Sequence, residues 1–153
     1  MKRIAIIIAA LAMCFAANAQ SYNWGIGVRG RSHGGDISVK HYLSADNAID
    51  LYGDFSFNGW GWAIGGDYQF CYPTNVDGLE FYVGPGASIG AFSNSVSLSV
   101  EGVAGAEYCF AKIPLSLFVD YKPKITASLS GDDGGLRIGI GYLDLGLGAR
   151  FYF

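Results

Sequence analysis

The chain has 153 residues, of which 51% are hydrophobic, and carries a formal net charge of −3 at pH 7. This acidic balance argues against nucleic acid as a partner. The sequence holds 23 Gly, 10 Tyr, 10 Phe and 3 Trp. After residue 20 no stretch is long and apolar enough for a membrane helix, so a membrane protein of this composition would cross as a closed barrel.

The N-terminus has the pattern of a secretory signal peptide. Two basic residues precede an apolar run over 4–17, and Ala17-Asn18-Ala19 is a small-x-small cleavage site. The run is shorter than the roughly 20 residues of a membrane-spanning helix. The sequence therefore predicts a signal peptide at 1–19 and one mature domain at 20–153. Lipidation at Cys14 is the alternative, which the bulky residue before it disfavours.

The mature sequence alternates between apolar and polar residues with a period of two, which is typical of strands that have one apolar face. Short stretches rich in Gly, Asn, Asp, Ser and Pro separate the alternating runs and suit tight turns. This pattern predicts an all-β fold, an eight-stranded antiparallel up-and-down barrel. The predicted strands are Tyr22–Arg31, Asp36–Leu43, Ala48–Phe57, Trp60–Tyr72, Leu79–Phe92, Val96–Phe110, Leu115–Ile125 and Leu136–Phe153.

Three features interrupt the alternation. The parity of the last predicted strand changes near Gly139–Tyr142, which predicts a β-bulge. Pro85 and Pro123 lie within predicted strands, and each removes one hydrogen bond from the ladder.

The composition of the two faces indicates which one points outward. The apolar face carries more Trp, Phe, Tyr, Leu and Ile than the interior of an eight-stranded barrel can hold. The polar face combines charged residues with glycines such as Gly25, Gly27, Gly146 and Gly148, which leave room in a crowded lumen. Aromatic residues gather near the strand ends, as in interfacial girdles. The sequence therefore predicts a transmembrane barrel, with a soluble lipocalin-like carrier as the alternative.

Several stretches carry a family resemblance. The chain end Ala149–Phe153, with its aromatic last residue, resembles that of small outer-membrane barrels of the OmpA/OmpX type. The stretches Ser38–Asp50, Val83–Gly90 and Ile113–Lys124 resemble an outer-membrane β-barrel domain family of mostly uncharacterised proteins. The resemblance covers residues 20–153 and implies a bacterial outer-membrane location. It also implies that Phe151 and Phe153 form a C-terminal signal for the assembly machinery.

The inverted orientation places a charge network in the lumen. Isolated charges in so narrow a space are costly, so we expect them to pair and to form a polar plug. The excess of acids would be met by trapped water, by protonation, or by Arg31 or Arg137. A narrow cation-selective pore is the alternative, although eight strands leave little width for one. The predicted network is Arg29, Lys40, Asp50, Asp54, Asp67, Glu80, Glu101, Glu107, Asp120, Lys122, Lys124, Asp144 and Arg150.

Catalytic and metal-binding patterns are weak in this sequence. His33 falls in a Gly-rich loop, and His41 lies on the apolar face without the His-x-Ser pair typical of membrane deacylases. No His/Cys cluster has metal-ligand spacing, so we expect no enzyme activity, cofactor or metal. Cys71 and Cys109 lie on strands four and six, about 9–10 Å apart and beyond disulfide reach, so we expect free thiols.

The predicted function is that of an integral outer-membrane barrel with a structural or surface role and a plugged lumen. The expected partners are outer-membrane lipid and the assembly machinery, and the expected state is a monomer. Ligands would meet the extracellular connections, which we place at Ser32–Gly35, Asn58-Gly59, Ser93–Ser95 and Thr126–Gly135.

Overall fold

The computed structural model describes residues 23–57, 61–92, 95–130, 136–141 and 144–153. The signal peptide predicted for residues 1–19 lies outside this part of the chain, as do Asn58-Gly59, Ser93-Asn94 and residues 131–135, which are half of the loop predicted at Thr126–Gly135. None of the described residues belongs to a helix that is long and apolar enough to span a membrane.

Ten strands form one antiparallel sheet that closes on itself. β1 pairs with β2 on one side and with β10 on the other, which closes the barrel. β7 and β8 both pair with β6 and together form the seventh barrel strand. β9 pairs with β8, and β10 pairs with β7, so β9 and β10 together form the eighth barrel strand. The predicted eight-stranded barrel is therefore confirmed. The strands are β1 (Trp24–Arg31), β2 (Gly34–Ser44), β3 (Asn47–Ser56), β4 (Gly61–Pro73), β5 (Leu79–Phe92), β6 (Ser95–Cys109), β7 (Leu115–Tyr121), β8 (Lys124–Ser130), β9 (Leu136–Gly141) and β10 (Leu145–Tyr152).

The seventh barrel strand is interrupted at Pro123 and extends further than predicted. Pro123 has no N–H to donate, but its carbonyl accepts a hydrogen bond of 2.9 Å from the Gly102 N–H. The register with β6 is unchanged across the gap, so β8 continues the same strand. The prediction that Thr126–Ser130 is loop is therefore wrong, because these residues continue the ladder with β6.

The last barrel strand contains the predicted change of parity. Even-numbered residues such as Ile138 and Ile140 face outward in β9, whereas odd-numbered ones such as Leu145 and Leu147 do so in β10. Over the described residues, the single strand predicted at Leu136–Phe153 is two segments, Leu136–Gly141 and Leu145–Tyr152.

The barrel is inverted relative to a soluble protein. Outward-facing apolar side chains are widely exposed, for example Val28 (60%), Leu51 (59%) and Leu147 (69%). Inward-facing charged side chains are buried, and Arg29 and Lys40 are 2% and 0% exposed. This distribution agrees with the predicted transmembrane barrel and is the reverse of that in a lipocalin-like carrier.

Candidate functional site

The lumen is the candidate functional site, and glycines create the space for its long side chains. A Cβ atom at Gly25 would lie 2.7 Å from Cδ of Arg150, and one at Gly146 would lie 2.6 Å from Cδ of Arg29. Both distances are shorter than van der Waals contact. The glycines of β1 and β10 therefore allow two arginines to lie flat against the inner wall.

We call the end of the barrel that holds Trp24 and Phe153 the terminal end, and the opposite end the far end. Arg29 lies in the middle of the lumen and contacts three carboxylates. Its guanidinium is 3.2 Å from Asp36, 3.1 Å from Asp50 and 2.6 Å from Asp120. Because these acids lie on β2, β3 and β7, one arginine on β1 links strands on opposite sides of the lumen.

Arg150 forms the second centre of the network. Its Nη2 donates to Asp50 at 3.0 Å and its Nη1 to Glu107 at 2.8 Å. The guanidinium carbons of Arg150 and Arg29 lie 4.5 and 5.1 Å from the centre of the Phe118 ring. The aromatic ring provides a cation–π contact to both arginines and fills the lumen beside them.

Towards the terminal end, Glu107 gathers a further set of donors. Lys40 Nζ lies 3.0 Å from Glu107 and 3.2 Å from Glu80. The Tyr152 hydroxyl donates to Glu107 at 2.6 Å, and the Tyr42 hydroxyl donates to Glu80 at 2.9 Å. The buried acids in this half of the lumen are thus matched by cations and hydroxyls.

Towards the far end, a further set of ion pairs involves Arg31, Lys122 and Lys124. Arg31 lies 2.9 Å from Asp36 and 2.8 Å from Asp144, and Lys124 lies 3.3 Å from Asp144. Lys122 pairs with Asp67. Arg31 therefore joins the network as one of the cations that the acid excess calls for.

Two of the predicted network acids have no cation within ion-pair distance among the described residues. Glu101 accepts a hydrogen bond from the Tyr52 hydroxyl, whereas Asp54 lies beside a cavity and makes no ion pair there. Both acids also border a small space of about 20 Å³, which is enough for about one water molecule. At these two positions, the excess of acids that the sequence indicates is not met by a cation at ion-pair distance.

Two larger cavities open at the ends of the barrel. The one at the far end, which we call the far vestibule, has a volume of about 340 Å³ and is bordered mainly by small hydroxylated residues of β3, β5, β6 and β8. The cavity at the terminal end has a volume of about 500 Å³, and its lining includes Leu43, Phe110 and Ile113 together with the Tyr152 ring. The charge network lies between them.

All thirteen predicted network residues face the lumen side of the sheet, and sequence reasoning missed one acid. Asp36 is 3% exposed and contacts both Arg29 and Arg31. The signal was present, because Asp36 shares the parity of Ser38 and Lys40 in the same strand. Arg137, the other cation suggested for the network, is exposed in β9.

The remaining candidate residues take up structural positions. His41 stacks on Trp24 with ring centroids 4.0 Å apart, and Nδ1 of His33 lies 4.0 Å from the Asp144 carboxylate. Cys71 and Cys109 are both free thiols. Within the described part of the chain, no group of three or more His, Cys, Asp or Glu side chains is arranged to hold a metal.

Comparison with solved structures finds the same architecture in other small β-barrels. A de novo designed transmembrane β-barrel matches with a TM-score of 0.54 and 14% identity, over 88% of this chain and 98% of that one. The chain has the fold of the small eight-stranded transmembrane barrels. Neisserial surface protein A matches with a TM-score of 0.54 and 14% identity, over 85% of this chain and 93% of that one. The N-terminal β-barrel domain of Pseudomonas aeruginosa OprF matches with a TM-score of 0.55 and 20% identity, over 88% and 100%. No protein-family model and no curated protein matches the sequence.

Proposed function

We propose that this chain is an integral protein of the bacterial outer membrane with a closed lumen, a structural or surface role and no catalytic turnover. The observation that carries the proposal is the combination of an apolar outer face with a buried network of charges inside. Only a lipid environment makes such an outer face favourable, and only a closed sheet satisfies the backbone there. One of the similar structures is a surface protein by name and another is a designed transmembrane barrel, which supports the proposed location.

The proposed orientation has the terminal end in the periplasm and the far end at the cell surface. This is the arrangement expected of barrels with short periplasmic turns. Phe151 and Phe153 lie at the end of the last strand on its outward-facing side, and Phe153 is 42% exposed. We propose that they are the signal read by the assembly machinery during insertion, and that the inserted protein is a monomer.

The proposed closure of the lumen is supported by the ion-paired layer that Arg29, Asp50 and Arg150 form in its middle. Arg29, Asp50 and Arg150 have side-chain exposures of 0 to 1% and link β1, β3 and β10 across the interior. An ion could pass only if several of these contacts broke together, because the barrel is just wide enough for its side chains. The network is therefore proposed to act as a plug.

A narrow pore for small solutes or ions is the second candidate. It is favoured by the two cavities, of about 500 and 340 Å³, which approach the charge network from both ends. Conduction would require the ion-paired layers between the two cavities to rearrange.

Fractionation of the native host tests the proposed location. The mature chain is expected in the outer membrane and should migrate differently on a detergent gel with and without boiling. Recovery from the soluble periplasm without detergent would contradict the inverted barrel. A chain found in the membrane with no heat-modifiable band would contradict the closed-barrel form.

Single-channel recording in a planar bilayer separates the plug from the pore. The plug predicts no steady conductance for the wild-type protein. The pore predicts a steady conductance that changes in Asp54→Asn or Glu101→Gln but not in Asp77→Asn. Asp77 is a suitable control because it is an exposed acid in the turn before β5, at the terminal end.

A further inference from the structure

The far vestibule is a small-molecule-sized space with a mainly polar wall, whereas the wall of the larger cavity at the terminal end is mainly apolar. Its volume of about 340 Å³ falls at the lower end of the usual range for ligand pockets, about 300–1,000 Å³. Four serines and one threonine contribute hydroxyl groups to its wall, and its charged or titratable side chains are Asp54, Lys124 and His33. The hydroxylated residues are Ser56, Ser88, Ser97, Ser99 and Thr126.

The hydroxyls are arranged on facing strands. Ser99 on β6 and Thr126 on β8 are hydrogen-bonded to each other at 2.8 Å, and Ser97 donates to the Gly90 carbonyl at 3.3 Å. A hydroxyl that donates one hydrogen bond still has lone pairs to accept another. The wall therefore presents both donors and acceptors over a short distance, which suits a ligand with several hydroxyl groups.

The charge around the far vestibule favours a cation. Arg31 and Lys124 are held by Asp36 and Asp144, and Lys122 is held by Asp67. Among the described residues, Asp54 and Glu101 have no cation within ion-pair distance. Asp54 borders the vestibule itself, and Glu101 borders the adjoining small space. Lys124 also borders the vestibule but pairs with Asp144, so Asp54 is the carboxylate of the wall that remains for a cationic group.

We propose that the far vestibule binds a small polyhydroxylated molecule that carries an ammonium group, such as an amino sugar. The ammonium group binds at Asp54, and the ligand hydroxyls bind the serine and threonine wall. The site goes beyond the proposed function and depends on it only for the side of the membrane to which the vestibule opens. Binding to purified, folded protein can therefore be tested whether or not the outer-membrane location is correct.

The experiment is a titration of the folded mature protein in detergent micelles, followed by amide NMR shifts. The probes are D-glucosamine, D-glucose and ammonium chloride, each at equal ionic strength. Glucosamine is expected to give saturable shifts at Ser97 and Ser99 with a dissociation constant on the order of millimolar. Glucose and ammonium chloride are each expected to bind at least about fivefold more weakly, because glucose lacks the ammonium group and ammonium chloride lacks the sugar hydroxyls.

Two variants locate the site. Asp54→Asn is expected to weaken glucosamine binding about fivefold and leave glucose binding unchanged. Asp77→Asn makes the same charge change in a turn at the terminal end and should leave both glucosamine binding and glucose binding unchanged. Equal binding of ammonium chloride and glucosamine would overturn the proposed sugar recognition. Equal binding of glucose and glucosamine, or no saturable shift with any probe, would overturn the proposed site.

Discussion

The terminal half and the far half of the lumen are built from different side chains. In the terminal half and the middle of the lumen, Arg150, Arg29 and Lys40 extend across the interior and meet buried acids at 2.6 to 3.2 Å. In the far half, short hydroxylated residues line a cavity, and two acids have no cation within ion-pair distance among the described residues. The barrel is therefore filled by the ion-paired layers, while the far vestibule and the cavity at the terminal end are open.

The difference shows that side-chain length, and not strand number, decides where this barrel is filled. An eight-stranded barrel leaves an interior that large side chains can just fill. Arginine and lysine reach the opposite wall, whereas serine does not. The stability of the barrel should therefore depend strongly on the terminal half and weakly on the far half.

The largest expected effect comes from Arg150→Met. The substitution leaves Asp50 and Glu107 without one of their cations in a buried environment and should cost about 3–5 kcal/mol of unfolding free energy. Urea unfolding in lipid vesicles, followed by tryptophan fluorescence and gel mobility, measures it. Arg137→Met removes an exposed arginine of β9 and should cost less than about 0.5 kcal/mol. Equal losses of unfolding free energy in the two variants would show that the buried ion pairs of Arg150 stabilise the barrel no more than an exposed arginine does.

Asp50→Asn and Asp54→Asn compare an acid from each half. Asp50 accepts hydrogen bonds from both Arg29 and Arg150, so its neutralisation should lower the unfolding free energy by about 2–3 kcal/mol. Asp54 has no ion pair in the described structure, and its neutralisation should change stability by less than about 0.5 kcal/mol. The same unfolding assay checks both, and a loss at Asp54 as large as that at Asp50 would contradict the division into halves.

Gly148→Ala and Gly139→Ala compare the packing of the two halves. A Cβ at Gly148 would overlap the Phe118 ring and the Val28 carbonyl, whereas one at Gly139 would meet nothing within 4 Å. Gly148→Ala should cost about 1–3 kcal/mol through overpacking. Gly139→Ala should be neutral or slightly stabilising, because alanine restricts the unfolded chain. If the two variants have equal stability, the terminal half is less tightly filled than the contacts indicate.

The sequence predicted the strands closely because each depends on local alternation. Strand ends outside the seventh and eighth barrel strands lie within two residues of the predicted positions. The prediction placed Pro123 within the seventh strand and ended that strand at Ile125, but the strand continues to Ser130. The missing N–H of Pro123 falls at a gap in the ladder, and the strand resumes there in the same register.

Parity also predicted which charges enter the lumen, but not which of them meet. Asp54 and Asp50 lie on the same face of β3, yet only Asp50 reaches an arginine. The difference arises because the registers of all eight barrel strands decide which side chains share a level in the lumen. Asp36 and Asp54 are paired in register on β2 and β3, and the nearby arginines contact Asp36 instead.

The sequence by itself determined the eight-strand pattern, the apolar outer face, the polar lumen and the change of parity in the last strand. These depend on the period of two and on residue size, which are local properties. Only the tertiary structure decided the Arg29 and Arg150 ion-pair partners, the continuation of the strand beyond Ile125 and the open vestibule beside Asp54. These depend on contacts between strands far apart in the chain, whose stagger around the closed barrel no local pattern encodes.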